Sequence, residues 1–323
     1  MKLSIVVPMY NVAEYVHKTA ESIIGQNFDG LEVILIDDGS TDNSLEICKN
    51  LLAGVNTVTI RQENTGLSGA RNAGIWAATG DYVLLLDGDD FLLPNALELV
   101  CNLLENTRPD VLFGRYLRWS PATGFSKNTP YDFRPPSDPK RRTEYILGAL
   151  PEPTWNAWRY VCRRDFLIDN GLFFERNILC EDVPWTLKLL ETAKTIEFLQ
   201  EPFYGYYHRR PQSIMNQLNP KRLVDLNASV KALVAEYADR PAICTQLVWQ
   251  SFLYINEYCV FRGQERRLVW ERYCCVLPMY GYSESRLHRM VGKCSNSVLF
   301  YCLSVGLFFA KCVRKVWRLC LHR

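Results

Sequence analysis

At 323 residues, 48% apolar and 22% charged, the chain can bury a large core in one domain or two and has an ordinary globular composition. The net charge of +2 gives no reason to expect nucleic acid as a partner, but it hides an asymmetry. From Ser285 onward there are eight Lys/Arg and no acid, which leaves 29 bases against 35 acids in residues 1–284: a mildly acidic body with a basic tail.

Leu3–Val7 is a short apolar run closed by Pro8, as a buried strand would be, and it follows Met1-Lys2 so closely that no export leader is expected. Asn11, with Glu14 three residues on, predicts the start of a helix whose apolar stripe is Val16, Ala20, Ile23 and Ile24. Glu32–Asp37 is a second strand, followed by Ser40, Thr41 and Asp42 as N-cap chemistry for a second helix. Thr57–Ile60 is a third strand, Ser68–Ala78 a third helix closed by Gly80, and Asp81–Leu86 a fourth strand. Short connections and continuous apolar strands predict an α/β fold: a Rossmann-like, mostly parallel sheet covered on both faces by helices. In such sheets ligands bind outside the carboxyl ends of the strands, and three of those ends are polar: Pro8–Asn11, Asp37–Asp42 and Asp87–Asp90.

Beyond Val111–Trp119, another expected strand, Ser120–Arg142 reads as a long exposed loop. Phe203–Tyr207 is an aromatic strand, and helices are expected over 221–280. The organisation expected is therefore a catalytic domain over residues 1–217, a helical extension over 218–284, and a tail over 285–323. Twelve cysteines, without a CxxC pair or an export signal, suit a reducing cytosol in which they pack as small hydrophobes.

The sharpest chemical signal is Asp87-Gly-Asp-Asp90, where an apolar strand ends in three carboxylates. Alternation along the strand would point Asp87 and Asp89 the same way across Gly88. Two such carboxylates repel unless a cation sits between them, and hard oxygen ligands suit Mg²⁺ or Mn²⁺ shared with substrate phosphates. The plainer reading is a polar loop whose acids cap the next helix.

Val6-Val-Pro-Met-Tyr-Asn11, Asp37-Asp-Gly-Ser-Thr-Asp42, Asn64-Thr-Gly-Leu-Ser-Gly-Ala-Arg-Asn72 and Asp87-Gly-Asp-Asp90 occur in that order. Together they resemble the signature set of the family 2 glycosyltransferases with the GT-A fold. Glu181-Asp182 and Tyr207-His-Arg-Arg-Pro-Gln-Ser-Ile214 are similar to later landmarks of that family, so the resemblance covers roughly residues 1–215. It implies an inverting transfer from a nucleotide-diphosphate sugar, with Mn²⁺ or Mg²⁺ bridging the diphosphate. Asp89 matches the firmest metal ligand, and Asp87 the residue that contacts the ribose or the metal. Asp38 matches the acceptor of the uracil imide N–H, with Pro8, Tyr10 and Asn11 in the first motif beside the base. Gly66, Gly88 and Arg71 join the expected donor contacts, Arg71 toward the nucleotide or diphosphate unless it forms only a surface salt bridge. Asp182 matches the usual catalytic base and Glu181 its partner, although the two could exchange roles. His208 and Arg210 are candidates to fold over the diphosphate. Trp155 and Trp158 suit sugar stacking or, more simply, the core.

A nucleotidyltransferase also fits an α/β sheet with metal-binding aspartates, but it calls for a Gly/Lys/Arg-rich loop where Pro8–Asn11 stands. A non-catalytic scaffold is argued against by the intact acids. Processive synthases of the family carry a Q-x-x-R-W motif and several membrane spans, so a single addition is expected, to a glycan or lipid-linked acceptor of surface-polysaccharide type. Ser295–Ala310 is uncharged and, at sixteen residues, short of the roughly 20 a spanning helix needs. With basic residues on both sides, it predicts a helix lying on an anionic membrane, hence a cytoplasmic protein peripheral on the inner face.

Overall fold

The computed structural model describes residues 1–26, 28–126, 135–149, 154–208, 220–244 and 246–247. Strand and helix alternate through the first hundred residues: β1 (Leu3–Met9), α1 (Val16–Ile24), β2 (Leu31–Asp37), α2 (Ser44–Leu51), β3 (Thr57–Arg61), α3 (Gly66–Ala77), β4 (Tyr82–Leu85), β5 (Phe91–Leu92) and α4 (Ala96–Thr107). There follow β6 (Val111–Ser120), β7 (Gly124–Phe125), α5 (Pro139–Ala149), β8 (Tyr160–Arg163), α6 (Arg164–Asp169), α7 (Asp182–Thr192), β9 (Ile196–Tyr207) and α8 (Pro220–Glu236). One compact unit runs Met1–Gln217, and a second begins at Leu218 with α8 near its start.

The sheet order is β3-β2-β1-β4-β8-β6-β9-β5, with β7 added to the end of β6. The first four strands are parallel, which is why β1, β2 and β4 are apolar on both faces and buried throughout. β8 then runs antiparallel to both β4 and β6, while β6 and β9 pair in parallel from Val111 opposite Ile196 to Trp119 opposite Tyr207, with an irregularity around Arg115. Because β2 and β4 leave β1 on opposite sides, the connections diverge at its carboxyl end and open a crevice there. Gly114 lets β6 and β9 meet, since a Cβ there would lie 2.2 Å from the fully buried Phe203 ring.

Several local expectations are corrected. Asn11 does not open a helix: it sits in the left-handed region at φ 51°, and α1 starts at Val16 behind Tyr15. Gly80 is not a helix terminator either. α3 ends at Ala77, and the Gly80 amide donates to Ser4 Oγ at 2.9 Å, at a spot where a Cβ would lie 2.7 Å from Ser4. The stretch Ser120–Arg142 is not one loop, because β7 folds back on β6 and Pro139 already begins α5; residues 127–134 lie outside the described ones. Among the described residues no helix is long and apolar enough to cross a membrane, and the tail over 285–323 lies outside them.

Opposite the crevice, at the amino end of the strands, Glu32 is buried among donors. Its carboxylate accepts from Ser4 Oγ at 2.5 Å, Thr79 Oγ1 at 2.6 Å, the Thr79 amide at 2.8 Å and Lys2 Nζ at 3.0 Å. Burial alone would raise its pKa, but these hydrogen bonds outweigh burial and hold it down at about 2. A depressed acid stabilises the fold above the ordinary carboxylate range, and that contribution is lost as pH falls toward 2. Urea midpoints of the wild type and Glu32→Gln are therefore expected to differ most at pH 6 and to converge below pH 3.

Candidate functional site

The acids at the end of β4 are held in a turn. The strand stops at Leu85, the Asp90 amide donates to the Asp87 carbonyl at 2.9 Å, and so simple alternation does not set the directions of Asp87 and Asp89. The Leu86 and Gly88 amides donate to the Val6 and Pro8 carbonyls, and a Cβ on Gly88 would lie 2.9 Å from that Pro8 oxygen. Gly88 thus lets the acidic turn lie against the end of β1. From below, Thr19 Oγ1 on α1 donates to the carbonyls of Gly88 at 3.0 Å and Asp90 at 2.7 Å.

Asp90 does not cap the next helix. It is buried, accepts from Tyr204 Oη at 2.7 Å and from the Tyr207 amide at 2.7 Å, and so pins β9 to the turn. Burial, then the charges of Asp89 and Asp87, push its carboxyl well above the usual range. Asp87 and Asp89 keep partial exposure.

The centre of the site is Arg71. Far from a surface residue, it is 1% exposed, and its guanidinium spans carboxylates from distant parts of the chain. One terminal nitrogen donates to both oxygens of Asp87, at 2.9 and 3.2 Å; the other donates to Glu181 Oε1 at 3.0 Å and Asp182 Oδ1 at 2.9 Å. Burial would lower the Arg71 pKa, but the three carboxylates overcome it and raise it. Glu181 and Asp182 do not cap α7 with their side chains. Glu181 is 7% exposed, and burial, reinforced by the charge of Asp182 and only partly relieved by Arg71, raises its carboxyl. The Asp182 side chain is 21% exposed and also accepts from the Ala157 amide at 3.3 Å. The more open carboxylate is therefore Asp182.

At the other end of the crevice the two adjacent aspartates differ. Asp37 is consumed by the protein, accepting from the Ser40 amide at 2.9 Å and pairing with Arg61 Nε at 3.1 Å. Among the described residues Asp38 takes its donors on Oδ1: Gln62 Nε2 at 2.7 Å, the Thr65 amide at 2.9 Å and Thr65 Oγ1 at 3.2 Å. Asn11 Oδ1 accepts from the Thr41 amide at 2.8 Å, stitching the loops after β1 and β2 together. Tyr10 is half exposed beside them, directly after Pro8-Met9, and the Asp38 amide donates to the Met9 carbonyl at 2.9 Å. Gly66 takes φ 78° at the start of α3, a conformation that favours glycine, with open space where a side chain would stand.

His208 follows β9 and donates its amide to the Trp119 carbonyl at 2.8 Å; Arg210 lies outside the described residues. Trp155 and Trp158 are core residues, 4% and 3% exposed, and Trp158 stacks on Tyr204 with centroids 4.3 Å apart. Thr19, Gln62, Thr65 and Tyr204 escaped the reading of the sequence. Gln62 was in principle legible, since it follows a strand parallel to the one ending at Asp37, whereas nothing local marks Thr19 or Tyr204.

A divalent cation suits this chemistry. One guanidinium faces three carboxylates, Asp89 stands two residues from Asp87, and the excess of hard oxygen charge calls for a cation. Among the described residues no three His, Cys, Asp or Glu side chains form a cage of their own. Mg²⁺ or Mn²⁺, which keep water and substrate phosphate as ligands, fit such a sparse protein donor set.

Residues 4–158 match the family model described as Glycosyl transferase family 2. The chain is 30% identical over 263 residues to the uncharacterized glycosyltransferase YibD of Escherichia coli (strain K12), covering 74% of this chain and 73% of that one. It is 38% identical over 221 residues to the glycosyltransferase GlyG of Streptococcus pneumoniae, covering 66% and 72%. Among solved structures, S. aureus TarS 1-349 in complex with UDP-GlcNAc superposes with a TM-score of 0.69 at 21% identity, over 86% of this chain and 81% of that one. At that identity the likeness is one of fold.

Proposed function

The chain belongs to the family 2 glycosyltransferases and has their GT-A fold, and from that premise we propose that it moves one sugar from a UDP-sugar, with inversion, to a hydroxyl of a lipid-linked or surface-polysaccharide precursor. The observation that carries this reading is the Arg71 bridge, which fixes Asp87 and Asp182 on opposite sides of one buried guanidinium. An acid from the diphosphate end and the partly exposed acid assigned as base are thereby held in one place. TarS in its complex with UDP-GlcNAc supports a uridine donor on the same fold.

In this mechanism Asp38 accepts the imide N–H of uracil and Tyr10 lies along the base. Asp182 takes the proton from the acceptor hydroxyl as its oxygen attacks the anomeric carbon from the face opposite the diphosphate. The anomeric C–O bond breaks, and its electron pair leaves with the nucleoside diphosphate. Arg71 keeps Asp182 oriented, and the Ala157 amide fixes the second carboxylate oxygen. Asp89, with Asp87, would hold Mn²⁺ or Mg²⁺, whose charge stabilises the departing diphosphate. His208, next in the chain to Tyr207 whose amide binds Asp90, is the candidate to fold over the diphosphate.

The test is UDP release from a panel of nucleotide sugars, with and without chelator. Turnover of a UDP-sugar that is lost on chelation is expected; turnover of GDP-sugars alone would overturn the uridine assignment, and pyrophosphate release from sugar phosphates would favour a nucleotidyltransferase. The same preparation is expected to float with anionic liposomes at low salt, through the basic tail after Ser285. A wholly soluble protein would remove the peripheral placement at the inner membrane face.

A further inference from the structure

We infer that Gln62 and Thr65 are specificity-determining residues: they clamp one oxygen of Asp38 so that the site takes a base offering a single N–H, which selects uracil over guanine and cytosine. The inference rests on the reading of Asp38 as the base acceptor and deepens it.

The geometry of the clamp is specific. Gln62 continues the β3 edge by donating its amide to the Asp37 carbonyl at 3.0 Å, which sets its side chain beside Asp38. Its Nε2 divides between Asp38 Oδ1 at 2.7 Å and Thr65 Oγ1 at 2.6 Å. Thr65 adds its amide and its hydroxyl to the same oxygen. Gly69 makes room for this, because a Cβ there would lie 2.0 Å from Thr65 Oγ1 and 2.6 Å from its Cβ. Among the described residues every donor to this carboxylate goes to Oδ1 and none to Oδ2.

A carboxylate with two free oxygens is a good partner for the paired N1–H and N2–H donors of guanine. With Oδ1 saturated only Oδ2 is left to accept, and the imide N–H of uracil, flanked by two carbonyls, presents one donor and no more. Cytosine offers an unprotonated ring nitrogen at that position, which meets the carboxylate lone pairs and is rejected.

The test is titration calorimetry of the full chain with UDP, GDP and CDP. The wild type is expected to prefer UDP. Gln62→Leu and Thr65→Val are each expected to narrow the preference for UDP over GDP about tenfold, because each loosens the hold on Oδ1 and frees it for a second donor, while Thr65→Ser retains wild-type selectivity. Gly69→Ala, which displaces Thr65 without touching a donor, is expected to narrow the UDP preference in the same way. A wild type without preference for UDP would overturn the reading of Asp38 and the clamp with it. A selective wild type whose selectivity survives Gln62→Leu and Thr65→Val would overturn the clamp alone, as would an equal loss for all three nucleotides.

Discussion

Asp182→Asn is expected to slow sugar transfer about a thousandfold while leaving UDP affinity unchanged, because the amide has the size of the carboxylate and one of its two acceptors, toward Arg71 or the Ala157 amide, but takes no proton. The neighbouring acid supplies the contrast. Glu181 lies 7% exposed against Asp182, and burial followed by that charge raises its carboxyl above the ordinary range, which leaves it the less accessible acid of the pair. A glutamate and a glutamine are nearly the same size, and Glu181→Gln is expected to cost transfer no more than about tenfold. Transfer rates at saturating donor and acceptor, beside UDP affinity by calorimetry, separate the two. If Glu181→Gln is the dead variant, the roles are exchanged. Stability gives an independent readout with a definite sign. An acid whose pKa is raised by folding binds more protons folded than unfolded, so its contribution is full below the ordinary carboxylate range and is lost as pH rises through the raised value. Glu181→Gln should flatten that decline.

How far the sequence reveals this arrangement depends on how local the cause is. β1, β2 and β4 are legible because strands buried on both faces read as nearly continuous apolar runs, broken only by Ser4 and Glu32 at their amino ends and Asp37 at the crevice. The polar ends of those strands are legible for the same reason, as breaks in an apolar pattern at the crevice. The second half of the sheet is not, because β8 inserts between β4 and β6 in the opposite direction through contacts about fifty to eighty residues apart. Arg71 shows the limit most clearly. From its helix position it reads as a donor contact or a surface salt bridge, and what buries it is a set of carboxylates 16, 110 and 111 residues away. Asp90 is misread likewise, since its partners Tyr204 and Tyr207 lie on β9 and its place before a helix suggests only a cap.

The largest loss of stability is expected from Arg71→Met. The methionine fills most of the volume of the arginine stem, so the change isolates the guanidinium: Asp87, Glu181 and Asp182 lose their common counter-ion in a site where Arg71 is 1% exposed. Removing one partner of a buried ion pair typically costs about 3–5 kcal/mol, because the remaining charges stay desolvated. Urea unfolding should show that loss. Arg71→Lys should recover only part of it, since an ammonium is a point charge and cannot reach Asp87 on one side and the Glu181-Asp182 pair on the other. Adding Asp182→Asn to Arg71→Met should restore some stability, as one of the stranded charges is gone. That non-additivity is the signature of a coupled network, and simple addition of the two effects would show instead that Arg71 acts through packing against Phe174, whose ring lies 5.3 Å away. If a divalent cation binds these acids as proposed, Mn²⁺ should also rescue Arg71→Met more than the wild type, because it would replace the charge that Arg71 supplied to the same carboxylates.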